Sequence, residues 1–282
     1  MPTLTTEDRP LVMGILNVTP DSFSDGGRWF EPELAIRRGH EMVDEGADIV
    51  DVGGESSRPG AVEVPVEEEL RRVLPVVEAL CPHVRVSVDT VKEPVAEAAV
   101  AAGATLVNDV SASLWPVAAR HGVGWVAMHR KGTPTTMQDD PRYDDVVAEV
   151  RDLLAERATA ALEAGVPEIW IDPGIGFGKT VDHNLELLAH LDVLVATGRP
   201  VLVGTSRKGF LGVLAAGPDG VPAPASERLP GSLATATWAL SQGAGMVRVH
   251  DVAATVQAAL LVGRSHRTPG GAGSSIDTEV GA

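Results

Sequence analysis

Cationic side chains stand close together in two segments near the end of the chain. The segment GTSRKGFLG contains Lys208, and RVHDV contains Arg248 and His250 two residues apart. Side chains two residues apart on a strand point to the same side, so Arg248 and His250 are predicted to face one cavity. Arg58 follows the glycines of DVGGESSRPGA and offers a planar fork for a phosphate or carboxylate, although alone it also fits a surface charge. Together these residues predict a site for an anion.

A second set of polar side chains could hold a flat ligand that forms hydrogen bonds. Asp89 in SVDT and Asn108 in NDVS each follow a predicted strand, and Asp172 opens the loop DPGIGFGKT. A buried carboxylate is costly unless it accepts hydrogen bonds, so Asp172 is expected to meet adjacent donors, such as the 2-amino-pyrimidinone edge of a pterin. The string GIGFGKT lacks the GxxxxGK[ST] spacing of a phosphate-binding P-loop.

The sequence lacks the patterns of several common catalytic centres. It has no His or Cys cluster with zinc spacing, no GxSxG elbow and no Cys and His placed for covalent catalysis. The chemistry is therefore expected to need no protein nucleophile. A substitution in which the incoming group is itself nucleophilic and pyrophosphate leaves would suit this inventory.

The elements that position these residues alternate regularly along the chain. Short β-branched runs are followed by longer amphipathic segments, which is typical of repeated βα units around a parallel sheet. The predicted strands are Leu11–Leu16, Asp48–Val52, Val84–Val88, Thr105–Val107, Gly124–Met128, Glu168–Ile171, Pro200–Val203 and Gly245–Val249. The predicted helices are Pro32–Glu45, Val66–Leu80, Glu93–Ala102, Trp115–His121, Asp145–Ala164, Asp182–His190, Ser232–Gln242 and Ala253–Val262.

Eight such units in a chain of 282 residues favour a single-domain (β/α)₈ TIM barrel over an open doubly wound sheet. Glycines are expected to stop five of the helices, since glycine adopts the left-handed conformation readily: Gly46, Gly103, Gly122, Gly165 and Gly243. Polar residues follow almost every strand and are predicted to converge on the barrel mouth, where active sites of this fold are built: Asn17, Asp51, Asp89, Asn108, His129, Asp172, Ser206 and His250.

Composition sets limits on partners and location. The formal net charge of −16 argues against a general affinity for nucleic acid. The single cysteine, Cys81, excludes an internal disulfide, and neither a signal peptide nor a membrane span is predicted, so we expect a cytoplasmic protein with no membrane partner. Residues 1–9 are expected to form an N-terminal extension, residues 10–262 the barrel, and the Gly- and Ser-rich residues 263–282 a disordered tail.

Six segments across residues 10–262 resemble, in order, the successive signatures of the dihydropteroate synthase family: NVTPDSFSDGG, DVGGESSRPGA, SVDT, DPGIGFGKT, TSRKGFLG and RVHDV. The resemblance implies a (β/α)₈ barrel, a homodimer and the use of Mg²⁺. It also implies small-molecule substrates: 6-hydroxymethyl-7,8-dihydropterin pyrophosphate is joined to 4-aminobenzoate with release of pyrophosphate. Sulfonamides resemble the second substrate and compete with it.

Carried over residue by residue, the resemblance implies three subsites that meet in one cavity. The pterin would contact Asp89, Asn108, Val110, Met128, Asp172, Phe177, Gly204 and Lys208. The pyrophosphate would lie among Asn17, Arg58, Arg248 and His250, with Asn17 also holding the metal ion. The aminobenzoate would contact Phe23, Ser57, Pro59, Phe177, Ser206 and Lys208.

The resemblance implies a dissociative reaction in which Asp25 stabilises a pterin methylene cation, and the catalytic residues would be Asp25, Lys208, Arg248 and His250. Two features depart from the family. Ser57 stands where many relatives have Thr, and the connection after Asn108 is shorter than usual, which leaves its geometry in doubt.

Two alternatives share the pterin slot. A methyltransferase that passes a methyl group from tetrahydrofolate to a corrinoid would not need Arg58, Arg248 and His250. A non-catalytic pterin-binding paralogue would be expected to lose the loop after the first strand, NVTPDSFSDGG, whereas its residues Asn17, Phe23 and Asp25 are all present.

Overall fold

The computed structural model describes residues 9–19, 32–56, 63–133 and 135–265. Its eight strands are all parallel, and in the sheet they stand in the order β6-β5-β4-β3-β2-β1-β8-β7. A parallel bridge between Ile171 and Val201, with Ile171 N donating to Pro200 O at 3.0 Å, joins β6 to β7 and closes the ring. The strands are β1 Leu11–Asn17, β2 Ile49–Gly53, β3 Arg85–Asp89, β4 Leu106–Asp109, β5 Gly124–Met128, β6 Ile169–Asp172, β7 Leu202–Val203 and β8 Met246–Val249. The predicted closed (β/α)₈ barrel is confirmed.

Helices surround the strands, and each predicted helix is present within three residues of its expected bounds. They are α1 Pro32–Asp44, α2 Val66–Leu80, α3 Glu93–Ala101, α4 Trp115–His121, α5 Val146–Glu163, α6 Val181–Ala189, α7 Leu191–Val195, α8 Gly209–Leu214, α9 Leu229–Ser241 and α10 Val252–Ser265. The short helices α7 and α8 were not predicted. The five expected helix stops all have positive φ: Gly46 95°, Gly103 118°, Gly122 64°, Gly165 87° and Gly243 97°.

Two apolar layers arise because successive side chains of a strand point to opposite faces. The outward positions pack against the helices; Val50 and Val52 of β2 are both fully buried there. Burying one such side chain stabilises the fold by about 1.5–3 kcal/mol. The inward positions fill the barrel with a separate apolar cluster, formed by Met13, Ile49, Leu106, Val126, Trp170, Leu202 and Met246.

Charged pairs lie at the end of the barrel where the strands begin. Arg85 of β3 donates to Glu168 from both Nη1 and Nη2, and Trp170 Nε1 donates to the same carboxylate at 2.6 Å. Arg9 forms a buried ion pair with Asp48, with Nη1 to Oδ2 at 2.7 Å. The end of the chain segment predicted as an N-terminal extension is therefore attached to the barrel.

The helix α10 ends at Ser265, three residues beyond the predicted end of the barrel at Val262. The predicted disordered tail lies, for the most part, outside the described residues, as do residues 1–8 of the predicted N-terminal extension. None of the described helices combines the length and the apolar composition that crossing a bilayer requires.

Candidate active site

A cavity of about 700 Å³ opens at the carboxyl ends of the strands. It brings together every predicted site residue that the structure describes, from seven of the eight strand ends and the loops after them. These are Asn17, Asp89, Asn108, Val110, Met128, Asp172, Phe177, Gly204, Ser206, Lys208, Arg248 and His250. The remaining predicted residues, Phe23, Asp25, Ser57, Arg58 and Pro59, lie outside the described residues.

Asp172 forms a carboxylate floor at the end of β6. Its Oδ1 accepts a hydrogen bond from Gly174 N at 2.7 Å, and burial raises the pKa of its carboxyl above the ordinary value. The tight turn that follows needs glycine, because Gly174 has φ 65° and an added Cβ would lie 1.8 Å from His129 O. A buried carboxylate at a cavity wall is available to accept hydrogen bonds from a ligand.

Arg248 provides a cation deep in the same cavity, and two carboxylates hold it. Its Nε donates to Asp51 Oδ2 and its Nη2 to Asp89 Oδ2, each at 2.6 Å. Burial opposes the charged form, but Asp51 and Asp89 raise the pKa of the guanidinium above its ordinary value, so it stays protonated. Burial raises the pKa of Asp89 to about 7, although Arg248 acts in the opposite direction. The sequence predicted that Arg248 faces an anion, and in the structure two carboxylates of the barrel already contact and orient it.

Lys208 faces Asp172 from the end of β7. Its Nζ lies 4.0 Å from the centre of the Phe177 ring and donates to Ile175 O. Burial lowers the pKa of the Lys208 ammonium to about 7, with Asp172 acting against that change. A lysine whose pKa is close to 7 can become protonated when an anion binds beside it.

The segment after β7 is fixed by polar contacts to β8 and α9. Ser206 Oγ lies 3.0 Å from His250 Nδ1 and accepts from His250 N at 3.1 Å. Between Ser206 and Lys208, Arg207 has φ 58°, which is unfavourable for a residue with a Cβ. Its backbone N donates to Ser232 Oγ at 2.9 Å and its guanidinium pairs with Asp251. These bonds hold Ser206 and Lys208 towards the cavity.

Two of the eight polar strand ends do not line the cavity, which corrects the prediction that all would converge there. Asp51 is fully buried. In the register of β2 and β3, Asp89 lies opposite Gly53 and Asp51 lies opposite Ser87. Asp51 is therefore one inward-facing position deeper in the barrel than Asp89. His129 is also buried, with its Nδ1 2.9 Å from Lys179 Nζ. Both residues are polar and follow a strand, which predicted a position at the barrel mouth. In the structure their side chains instead contact neighbouring buried groups.

Lys179 is a cavity residue that the sequence did not single out. Its buried ammonium donates to Gly174 O at 3.0 Å and Phe177 O at 3.1 Å, and so braces the loop between Asp172 and α6. Burial lowers the pKa of Lys179 to about 7 and that of the neighbouring His129 to about 3. The available signal was a lysine inside a glycine-rich loop that opens with a predicted site residue, Asp172.

The short fourth connection has a defined geometry. Asp109 follows Asn108 and accepts hydrogen bonds from the backbone N of Ser111, Ser113 and Leu114 and from Trp125 Nε1. The doubt that the sequence raised about this connection is resolved by one carboxylate that closes the turn.

The two ends of the loop after β2 are also held in place. Lys92 Nζ donates to Glu55 Oε2, Val64 O and Glu69 Oε2, each at 2.6 Å. Val64 N in turn donates to Glu55 Oε2 at 2.6 Å. Glu55 and Val64 flank the segment that contains Ser57, Arg58 and Pro59, so Lys92 ties its two ends together.

Comparison with known proteins agrees with this barrel and its cavity. The family model described as "Pterin binding enzyme" matches residues 13–250. The chain is 48% identical over 262 residues to the dihydropteroate synthase of Escherichia coli K12, covering 90% of each. It superposes with a TM-score of 0.84 on the Xanthomonas albilineans dihydropteroate synthase solved with 4-aminobenzoic acid, at 48% identity and covering 93% of this chain and 95% of that one. The same enzyme in complex with 7,8-dihydropteroate gives a TM-score of 0.82 at 46% identity, covering 94% and 97%.

The closed barrel, with the Asp172 carboxylate and the Arg248 and Lys208 side chains at its mouth, defines a pterin-binding enzyme of the TIM-barrel class. Within that class, the chain belongs to the dihydropteroate synthase family.

Proposed function

We propose that the cavity joins 6-hydroxymethyl-7,8-dihydropterin pyrophosphate to 4-aminobenzoate, making 7,8-dihydropteroate and pyrophosphate. The chain is a transferase of the folate pathway. One observation carries the assignment: a buried carboxylate, Asp172, and a partly buried cation, Arg248, line one cavity of about 700 Å³. A flat heterocycle and its anionic leaving group can therefore be held together. The family and its relatives favour this reaction over corrinoid methyl transfer or binding without catalysis.

The pterin lies against Asp172, whose carboxylate accepts hydrogen bonds from the amino and amide hydrogens of the ring. Asp89, Asn108 and Lys208 provide further polar contacts. Val110, Met128, Phe177 and Gly204 form the apolar walls of the slot. This division is supported by the burial of Asp172, because a buried carboxylate gains most from a ligand that satisfies its acceptor positions.

The pyrophosphate lies among Asn17, Arg58, Arg248 and His250. Charge on the leaving group grows as its bond to the pterin methylene breaks, and fixed cations stabilise that charge. The guanidinium of Arg248, already oriented by Asp51 and Asp89, supports this role. Ser206 holds His250 through its ring nitrogen and backbone N.

The side-chain oxygen of Asn17 fits a Mg²⁺ ion that is bound mainly by substrate phosphates and water. Mg²⁺ takes oxygen ligands, keeps several waters and is commonly bound by one or two protein groups together with substrate phosphates. In the described part of the chain, no group of three or more His, Cys, Asp or Glu side chains is arranged so that it could hold a metal ion, so an all-protein cage is not indicated there. Asn17 lines the cavity and would hold the ion through its side-chain oxygen. The ion would neutralise charge on the leaving group.

The aminobenzoate lies between Phe23, Ser57, Pro59, Phe177, Ser206 and Lys208. Its amine is nucleophilic when neutral, so the attack on the pterin methylene needs no strong general base. Asp25 stabilises the positive charge that develops on the methylene after pyrophosphate departs. The carbon–oxygen bond to pyrophosphate breaks, a carbon–nitrogen bond to the amine forms, and the amine loses one proton to solvent.

The enzyme works as a cytoplasmic homodimer. The single cysteine supports a reducing compartment. A second copy is supported by exposed apolar side chains on two adjoining helices: Leu185 of α6 and Trp238 of α9, whose Nε1 donates to Leu188 O at 2.8 Å. Light scattering on the wild type and on Trp238→Arg tests this point. A dimeric wild type and a weakened dimer in the variant are expected, and a monomeric wild type would overturn it.

The reaction itself is tested by pyrophosphate release from the dihydropterin pyrophosphate, with and without 4-aminobenzoate. Release is expected to depend on 4-aminobenzoate and to be matched by 7,8-dihydropteroate, identified by mass spectrometry. Pyrophosphate release without that product in the presence of both substrates would contradict the proposal.

A further inference from the structure

We propose that Asp51 is a positioning residue, which orients Asn108 and Arg248 through one carboxylate oxygen. The inference rests on the proposed function, in which Asn108 contacts the pterin and Arg248 the pyrophosphate. Asp51 Oδ2 accepts from Asn108 Nδ2 at 2.9 Å and from Arg248 Nε at 2.6 Å. A single atom of β2 therefore connects residues of β4 and β8 that line two subsites.

Asp51 acts without touching a substrate. It is fully buried, and it lies one inward-facing position deeper than Asp89, which does line the cavity. Its effect on a ligand must pass through the side chains that it holds. This distinguishes Asp51 from the six polar strand ends that line the cavity themselves.

The contact with Asp51 decides which end of the Asn108 amide faces the ligand. An ionised carboxylate accepts hydrogen bonds and donates none, so the Asn108 side chain must turn its Nδ2 group towards Asp51. The amide oxygen is then directed away from Asp51. A ligand at this wall meets a hydrogen-bond acceptor and is selected for an N–H group at that edge. Without Asp51, both orientations of the amide would be open.

The same oxygen helps to fix the plane of Arg248. The guanidinium is held at Nε by Asp51 and at Nη2 by Asp89, two contacts of 2.6 Å from neighbouring strands. Two bonds to a planar group leave it little freedom to rotate. The orientations of both Asn108 and Arg248 depend on Asp51. Loss of its acceptor oxygen should therefore weaken the binding of both the pterin and the pyrophosphate.

The test compares Asp51→Ala with Asp51→Asn, which keeps an acceptor oxygen. Ser87→Ala is the matched control: Ser87 is the register partner of Asp51, is fully buried, and its Oγ makes no hydrogen bond within the described residues. Each protein is titrated calorimetrically with bare pterin and with inorganic pyrophosphate. Binding stoichiometry and thermal unfolding report whether each variant is folded.

We expect Asp51→Ala to lower the affinity for both ligands by on the order of tenfold. This is the factor that corresponds to the net contribution of one hydrogen bond. Asp51→Asn and Ser87→Ala should stay within about threefold of the wild type. Unchanged affinities in Asp51→Ala, or an Asp51→Asn as weak as Asp51→Ala, would overturn the inference. If Asp51→Ala does not fold, Asp51→Ser takes its place, because its hydroxyl is too short to reach both partners. A wild type that binds neither ligand would overturn the proposed function and this inference with it.

Discussion

The ammonium group of Lys208 lies 4.0 Å from the centre of the Phe177 ring. The two side chains follow different strands, β7 and β6, and both line the cavity. A cation over an aromatic face is stabilised by about 0.5–2 kcal/mol, more when water is excluded. The pair therefore forms a wall in which a charged group and a flat apolar surface are presented together, as an aromatic acid would require.

Removal of the Phe177 ring should weaken 4-aminobenzoate more than the pterin substrate. We expect Phe177→Ala to raise the KM for 4-aminobenzoate by about tenfold, since both ring contact and the orientation of Lys208 are lost. Phe177→Tyr is the matched control and should remain near the wild type. Steady-state kinetics with each substrate varied in turn checks this, and an equal change in both KM values would argue against a selective role for the ring.

Replacement of Arg248 by Ala should affect the pyrophosphate-bearing substrate far more than bare pterin. The guanidinium is the partly buried cation of the proposed leaving-group subsite, whereas the pterin is held mainly by Asp172. A loss of about 100-fold or more in affinity for the pyrophosphate ester corresponds to about 3 kcal/mol, typical of a buried charged contact. Calorimetry with the two ligands separates the effects, and equal losses for both would contradict the anion role.

Binding of an anion in the cavity should be accompanied by proton uptake at Lys208. Burial lowers the pKa of the free ammonium to about 7, so at pH 8 most molecules carry a neutral amine. A nearby anion favours the charged form and raises that pKa, so binding at pH 8 should take up about one proton, and at pH 6 almost none. Calorimetry with 4-aminobenzoate, in the presence of pterin, in buffers of different ionisation enthalpy measures the number. Identical uptake in Lys208→Met would show that another group is responsible.

Lys179 should stabilise the fold increasingly as the pH rises above neutral. Its pKa is about 7 in the folded protein against an ordinary 10.5, so between these values the unfolded chain binds the proton and the folded protein does not. The unfolding free energy contributed by this group therefore increases with pH across that interval. Lys179→Met loses the bonds to Gly174 O and Phe177 O, and should be less stable by about 1–3 kcal/mol. Denaturant unfolding from pH 7 to 10 should show a widening gap, and a gap that narrows would contradict this.

The sequence predicted the barrel because its signals are local and repeated. Periodicity indicated the strands, and glycines such as Gly46 and Gly122 marked the helix ends. The short helices α7 and α8 escaped because one or two turns carry too little periodicity to detect. The closure of the ring between Ile171 and Val201 is a long-range contact that no local pattern contains.

The site residues were predicted by type and position, but their connections were not. Arg248 was expected to face an anion, yet nothing in the sequence indicates that Asp51 and Asp89 orient it, because the three residues are far apart in the chain and meet only across the barrel. Likewise, the burial of His129 depends on Lys179, fifty residues later. Such pairings are set by strand register, which only the folded structure reveals.

In the proposed function, the Asp172 carboxylate binds the pterin in the same cavity that receives pyrophosphate. Calorimetric titration of the wild type and of Asp172→Ala with bare pterin, and then with inorganic pyrophosphate, tests it most directly. We expect Asp172→Ala no longer to bind pterin measurably, while its affinity for pyrophosphate stays close to that of the wild type. Unchanged pterin affinity in Asp172→Ala would remove this carboxylate from the site and contradict the account.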